Sequence, residues 1–416
     1  MMKLKITGGR RLEGSVKVSG AKNSILKVMA ASLLADGCCI FSNAPMITDV
    51  STMIGVLQGL GAKARAESGR IVVDPSSLSG YEPPEELVRE MRASIQVMGP
   101  LLARLGRVRV RQPGGCDIGP RPIDLHLKGF SALGAKIKEE RGFIIAEARK
   151  LVGAEIHLDL PSVGATENIM MAACFAEGTT IIHNAAREPE IVDQQNFLNR
   201  MGARIIGAGT DTIKVRGVRR LEGIDYTIIP DRIEAGTYMC AIAITGGAAC
   251  VENVIPEHLQ AVISKLREAG IDVQPRESSI WVSAGQRPAA ISVRSMPYPG
   301  FPTDMQPQVT ALMSIARGTS IISETIFPNR FRYVDELHRM GANIKLEGRV
   351  AVVEGVESLT GADVEAPDLR GGAALILGAL AADGETEISG VQHIDRGYED
   401  IVGKLRGLGA DIRRVG

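Results

Sequence analysis

The chain has 416 residues, more than a single hydrophobic core normally spans, so two domains are expected. Hydrophobic residues make up 45% and charged residues 23%, without low-complexity stretches, which excludes a disordered or fibrous protein. Lys plus Arg (48) balances Asp plus Glu (48) and only 4% of residues are aromatic, so neither a polyanion-seeking surface nor a stock of base-stacking rings is present, and no nucleic-acid partner is expected.

Met1-Met2-Lys3-Leu4-Lys5 leads directly into strand-like sequence, and the longest uncharged stretch, Ala235 to Val251, is broken by Gly and Thr. No membrane association is expected, and the chain reads as a cytoplasmic protein. Its six cysteines form no C-x-x-C pair and its six histidines no pair at helix spacing, so metal-ligand patterns are absent. Cys38, Cys39 and Cys250 fall in apolar strand-like runs and Cys174 and Cys240 in helical ones, where buried, inert thiols are expected. Cys116 differs, following Pro113-Gly114-Gly115 in a loop.

A helix end followed by Gly-Ala and a charged strand recurs at Gly61, Gly134, Gly202, Gly270, Gly341 and Gly409, a period of about seventy residues. An amphipathic helix precedes each glycine. In Val334 to Met340, for instance, Val334, Leu337 and Met340 share one face and Asp335, Glu336 and Arg339 the other. A second helix in each unit is apolar all round, as in Met170 to Phe175, and belongs in the interior. Each repeat therefore reads strand, buried helix, strand, surface helix, hairpin. The six copies predict an α/β fold of two domains, three repeats around each of two cores. The sixth copy lacks its closing elements, so the opening strand Met2 to Gly8 is expected to complete it. One domain would then comprise residues 1–21 and 231–416, with residues 22–230 inserted as the other.

The passage from first strand to buried helix carries a charged or polar group in every copy, among them Lys22-Asn23, Arg92, Glu167, Glu234, Asp304 and Asp368 with Arg370. Helix starts offer free N–H groups and partial positive charge, so converging starts predict an anion site that Lys22, Arg92 and Arg370 would strengthen. Loops after the second strand add Arg121, Arg330 and Arg396. Any one of these arginines could simply pair with a neighbouring carboxylate, but their recurrence points to a clamp for a small, multiply charged anion bearing phosphate and carboxylate. Beside Cys116, Arg121 favours the thiolate and Asp117 the thiol, and a protonated thiol can act as a general acid. Asp304 reads equally as a helix cap or a catalytic group.

Lys22-Asn23, Pro113-Gly114-Gly115-Cys116, Arg121-Pro122-Ile123-Asp124-Leu125-His126, Phe301-Pro302-Thr303-Asp304-Met305-Gln306, Asp368-Leu369-Arg370 and His393-Ile394-Asp395-Arg396-Gly397-Tyr398-Glu399 together resemble the UDP-N-acetylglucosamine enolpyruvyl transferase family, across essentially the whole chain. The resemblance implies two inside-out α/β domains, each of three βαβαββ units, with the active site in the interdomain cleft. It also implies transfer of the enolpyruvyl group of phosphoenolpyruvate to the 3′-hydroxyl of UDP-N-acetylglucosamine through a tetrahedral ketal with release of phosphate, the first committed step of peptidoglycan synthesis. No metal or cofactor is implied, and a monomer is expected.

By motif, Cys116 would protonate the donor methylene or form an adduct, and Asp304 would take the hydroxyl proton. Lys22, Arg121 and Arg396 would hold phosphate and carboxylate, with Arg92, Arg370 and Asn23 supporting the charged intermediate. Arg121, Pro122, Ile123, Asp124 and Leu125, with Ser162, Val163 and Gly164, match nucleotide-binding segments; Ile326, Phe327, Arg330 and Asp368 complete the substrate set. Leu160 stands where some members place lysine, Pro328 where many have glutamate, and Pro120 removes a backbone donor from the cysteine loop. The alternatives are a 5-enolpyruvylshikimate-3-phosphate synthase-like transferase, which has no loop cysteine, and a catalytically inactive binding or regulatory paralogue.

Overall fold

The structure, a computed structural model, describes residues 2–112 and 123–416. The chain divides into two compact units, residues 20–112 with 123–229 and residues 2–19 with 230–416, each with its own hydrophobic core.

In the unit formed by residues 2–19 and 230–416, three helices, Arg232–Ile244, Gln306–Met313 and Leu369–Ala381, pack against one another. Residues Ile233 to Ile244, Gln306 to Met313 and Leu369 to Leu380 are buried throughout, which explains why these helices lack a polar face. In the other unit the corresponding helices are Lys22–Ala31, Met98–Leu105 and Val163–Ala173.

The general pattern is a sheet in which a first strand runs parallel to the second, followed by the hairpin. The third repeat shows the order: Glu155–His157, Thr179–His183, Thr212–Arg216, Arg204–Ile206. Surface helices end at the recurrent glycines, where Gly202 (φ 110°) and Gly341 (φ 86°) adopt a left-handed turn that side chains resist. In the last repeat Lys3–Thr7 takes the missing place, antiparallel to both Glu385–Ser389 and Asp411–Val415, with Leu4 and Ile6 fully buried.

The first strands of two repeats are exchanged, which the linear repeat did not reveal. Glu13–Lys17 precedes the helix Lys22–Ala31 in the chain but pairs with Ala248–Glu252, while Asp225–Thr227 precedes Arg232–Ile244 but pairs with Cys39–Ser42. The chain therefore changes unit between residues 19 and 20 and again between 229 and 230. A Cβ on Gly20 would fall 1.7 Å from the Asn43 carbonyl oxygen, so only glycine fits at the first change.

The second repeat departs from the expected pattern. Its sheet has three strands, and in place of a first strand only the Tyr81 carbonyl meets the Arg109 N–H, at 2.9 Å. Pro83 and Pro84 lie in that stretch and supply no ladder donors. A mostly unburied helix, Glu85–Glu90, comes first, and the buried helix is split into a 3₁₀ segment Arg92–Val97 and Met98–Leu105. Pro100, near the start of the last piece, cannot sit inside a helix continuous from residue 92, because its ring would meet the carbonyl four residues back.

Two thiols also depart from the expectation of burial. Cys38 is exposed, just after the left-handed Gly37, and Cys250 is half-buried because strand alternation turns Ala249 and Val251 inward instead.

Candidate active site

In the unit of residues 2–19 and 230–416, Asp304 lies in the 3₁₀ turn Thr303–Met305 before the helix Gln306–Met313. Its carboxylate does not cap that helix. Arg330 Nη2 donates to Oδ1 at 2.8 Å, and Arg370 donates to Oδ2 through Nη2 at 3.1 Å and Nε at 3.3 Å. Both guanidiniums are almost completely buried, at 2% and 4% exposure, whereas Asp304 keeps 26% of its side chain accessible. The result is a carboxylate gripped on its protein side and reachable on the other.

Arg370 is held in turn. Its Nη1 donates to Tyr398 Oη at 3.1 Å, and that hydroxyl also meets Thr237 Oγ1 at 3.0 Å and Gln308 Nε2 at 3.3 Å. Burial opposes the Arg370 charge, but Tyr398, Asp304 and Asp231 outweigh it, so the guanidinium pKa is raised and Arg370 is a fixed cation. Burial raises the Tyr398 pKa, and the Arg370 charge works against that rise. Arg330 lies over the Phe327 ring, 5.8 Å from its centroid. Ile326 and Phe327 are half-buried, as is Arg396, which follows the short helix Val391–Asp395.

The expectation of free helix starts holds for Lys22–Ala31, the 3₁₀ segment Arg92–Val97 and Gln306–Met313, which have no side-chain cap, but not for the other three. Asp231 Oδ1 accepts from the N–H groups of Ile233 and Glu234, and Asp368 Oδ1 from those of Arg370 and Gly371, so side-chain caps occupy donors an anion would need. In the other unit Ser162 caps its helix through the Ala165 N–H at 3.3 Å. The positive charge in these regions thus comes mainly from side chains. Asp368 thus caps its helix through Oδ1 alone.

In the unit of residues 20–112 and 123–229, Lys22 opens its helix and pairs with Asp49 Oδ2 at 2.8 Å. Asp49 is buried in the first turn of the helix Thr48–Gly59, where its negative charge also suits the helix start. Asn23 is half-buried beside Lys22, and Arg92 begins the 3₁₀ segment of the second repeat. Deeper in, Lys27 meets Glu167 Oε2 at 2.5 Å, and Asp193 accepts from Ser24 and from Tyr226 Oη. Burial raises the Glu167 pKa to about 7, against the pull of Lys27 and with Glu190 and Glu188 adding to the rise.

Ile123 is buried, Asp124 exposed and Leu125 half-buried at the start of the helix Asp124–Ala132. His126 is fixed by Asn168, whose Oδ1 accepts from the Gly99 N–H at 2.7 Å, directing Nδ2 to Ile95 O at 3.0 Å and His126 Nδ1 at 3.1 Å. The ring therefore carries its proton on Nε2. Burial lowers its pKa to about 3, and the Arg92 and Lys27 charges reinforce this, so His126 is neutral. Gly164 allows the close packing here: a Cβ would lie 3.1 Å from Gln96 Nε2 and 3.3 Å from His126 Nε2. Val163 is half-buried next to it, and Leu160 stands 68% exposed. Cys116, Arg121 and Pro122, with Asp117 and Pro120, lie outside the described residues.

A family profile for EPSP synthase (3-phosphoshikimate 1-carboxyvinyltransferase) matches residues 6–405. The chain is 56% identical over 416 residues to UDP-N-acetylglucosamine 1-carboxyvinyltransferase 1 of Symbiobacterium thermophilum, covering 99% of this chain and 94% of that one. It is 54% identical to UDP-N-acetylglucosamine 1-carboxyvinyltransferase 2 of Caldanaerobacter subterraneus subsp. tengcongensis, over the full length of both. The chain belongs to the UDP-N-acetylglucosamine 1-carboxyvinyltransferase family. Among solved structures it is similar to the enolpyruvyl transferase NikO from Streptomyces tendae, with TM-score 0.89 and 27% identity over 100% of this chain and 99% of that one. EPSP synthase from Acinetobacter baumannii shares the fold, with TM-score 0.77 and 18% identity over 100% of both chains. The α/β architecture with buried central helices expected from the repeats is therefore that of enolpyruvyl transferases.

Sequence reading overlooked Asp49, the Lys27–Glu167 pair, Glu324 and the role of Tyr398. Glu324 left a trace: it continues the inward parity of Ser320 and Ile322 along the strand Thr319–Ser323, where a carboxylate is out of place unless it has partners. Asp49 left none, since an acid in the first turn of a surface helix is ordinary. Among the described residues no helix is long and apolar enough to cross a membrane.

Proposed function

We propose that the protein transfers the enolpyruvyl group of phosphoenolpyruvate to the 3′-hydroxyl of UDP-N-acetylglucosamine. The observation that carries this reading is full-length identity of 53–56% to relatives bearing that activity in their names. The gripped but accessible carboxylate of Asp304 supports it chemically.

In the addition step the sugar oxygen bonds to C2 of phosphoenolpyruvate while C3 gains a proton, giving a tetrahedral ketal. In the elimination step C3 loses a proton and the C2–O bond to phosphate breaks, restoring the double bond and releasing inorganic phosphate. Asp304 accepts the hydroxyl proton, with Arg330 and Arg370 fixing its direction. Cys116 delivers the proton to C3. Lys22, Arg121 and Arg396 hold the donor's phosphate and carboxylate, and Arg92, Arg370 and Asn23 face the charge of the intermediate. Arg121, Pro122, Ile123, Asp124, Leu125, Ser162, Val163 and Gly164 take the nucleotide, and Ile326, Phe327, Arg330 and Asp368 the sugar side.

On this reading the enzyme acts at the first committed step of peptidoglycan synthesis, in the cytoplasm, and is a target of the epoxide phosphonate fosfomycin. Phosphate release from phosphoenolpyruvate is expected with UDP-N-acetylglucosamine and absent with shikimate 3-phosphate. Release with the second acceptor alone would assign the shikimate reaction instead, and release with neither would favour the inactive paralogue.

A further inference from the structure

We propose that Glu324 is a positioning residue for the transfer reaction, fixing Asp304 relative to the Ile326–Phe327 segment; this rests on the role of Asp304 proposed above. Glu324 is 1% exposed, at the end of the strand Thr319–Ser323. Its two carboxylate oxygens serve different segments. Oε1 accepts from the N–H groups of Ile326 at 2.7 Å and Phe327 at 3.1 Å, and from Ser295 Oγ at 2.8 Å. Oε2 accepts from Thr303 Oγ1 at 2.9 Å, and Thr303 is the residue immediately before Asp304.

The contacts close into a ring. From Glu324 one arm reaches Thr303 and so Asp304, and the other holds the backbone of Phe327, whose ring lies against Arg330; Arg330 then bonds Asp304. The ring passes through both ends of the Arg330–Asp304 pair, so the direction of the carboxylate depends on both arms. Ser295 braces the junction, its Oγ accepting from the Thr325 N–H at 2.9 Å while its carbonyl accepts from Thr325 Oγ1 at 2.6 Å. A buried carboxylate is unfavourable without such donors, and an apolar residue at this inward position would fill the space without linking the two segments.

Thr303→Val cuts only the Oε2 arm, and Thr303→Ser keeps it. Thr303→Val should lower kcat about tenfold, as expected for a displaced reacting group, with KM for UDP-N-acetylglucosamine within about twofold of wild type; Thr303→Ser should restore kcat. Glu324→Ala should lower kcat further, raise that KM, and speed hydrogen exchange at the Ile326 and Phe327 amides at least about tenfold. Glu324→Gln, whose amide can still accept from both N–H groups and donate to Thr303, should fall between. Equal kcat in the two Thr303 variants, or unchanged exchange in Glu324→Ala, would overturn the proposal. So would wild-type kinetics in both Glu324 variants with only a lowered Tm. Should Glu324→Ala not fold, the Thr303 pair still decides. If wild-type protein turns over neither acceptor, the function assignment fails, and the exchange experiment still reports on the tether.

Discussion

Arg370 donates two hydrogen bonds to a single oxygen of Asp304, at 3.1 and 3.3 Å, from a guanidinium that Tyr398 holds from behind. The orientation of Asp304 is thus built into the buried face of the helix Leu369–Ala381. Asp304→Asn keeps the shape and one acceptor oxygen but cannot take a proton. Affinity for UDP-N-acetylglucosamine by calorimetry should stay within a few-fold, while kcat falls by roughly 10²–10⁴. Near wild-type turnover would reduce Asp304 to a structural ion-pair partner.

Lys22 faces Asp49 at 2.8 Å, so its ammonium has a fixed direction before any donor arrives. Lys22→Gln should lower kcat/KM for phosphoenolpyruvate by about 100-fold or more through loss of a charge-assisted contact. Asp49→Asn leaves the ammonium charged but less well aimed, and a loss of about tenfold is expected. Steady-state kinetics with the donor varied would separate the two; equal effects would make Asp49 as important as the cation it aims.

The Lys27–Glu167 pair makes a prediction with a sign. Burial lifts the Glu167 pKa from 4.5 to about 7, so between these values the folded state holds a proton that the unfolded state has lost, and this group's contribution to stability falls as pH rises toward 7. Lys27→Met removes the charge that limits the rise. The variant should lose about 3 kcal/mol relative to wild type at pH 8, where Glu167 must be buried charged or bind a proton against the pH, and much less at pH 5.5, where it is protonated in the fold anyway. Urea denaturation at the two pH values reads the difference, and an equal loss at both would mean that Glu167 does not titrate in this range.

Thiol chemistry should single out Cys116. Burial pushes Cys39 up to about 11 and Cys174 and Cys240 up to about 12, and it also raises the exposed Cys38, with Asp74 adding to the effect. Peptide mapping after brief fosfomycin treatment at neutral pH should find label at Cys116 and none at Cys39, Cys174 or Cys240. Cys116→Ala should abolish both labelling and turnover. Modification centred on Cys38 would remove Cys116 from the acid role.

The repeat was legible because it rests on local rules. Glycines at the ends of amphipathic helices and apolar alternation in the hairpins are written into adjacent residues, and Lys3–Thr7 could be placed by counting what the last copy lacked. The strand exchange was not legible, since Glu13–Lys17 buries only Val16 and nothing in so short a strand names the sheet it joins. Positive groups near the helix starts could be read from recurrence. What they bond could not: Asp49, Tyr398 and Glu324 come from distant segments, and only the fold brings them to Lys22, Arg370 and Thr303.

The strand Lys3–Thr7 also bears on the order in which the protein is made. Its partners Glu385–Ser389 and Asp411–Val415 leave the ribosome nearly 400 residues later, tens of seconds at roughly 5–20 residues per second. The unit of residues 20–112 and 123–229 can complete its core during synthesis, while the other waits for the last strand with Leu4 and Ile6 uncovered. Because Lys3 lies opposite Val415 in an antiparallel register, a short turn joining those positions would make the sixth repeat a continuous hairpin like the other five. A circular permutant with that link and new ends between residues 8 and 12 should place all four strands of the last sheet next to one another in synthesis, and refold faster than the natural order.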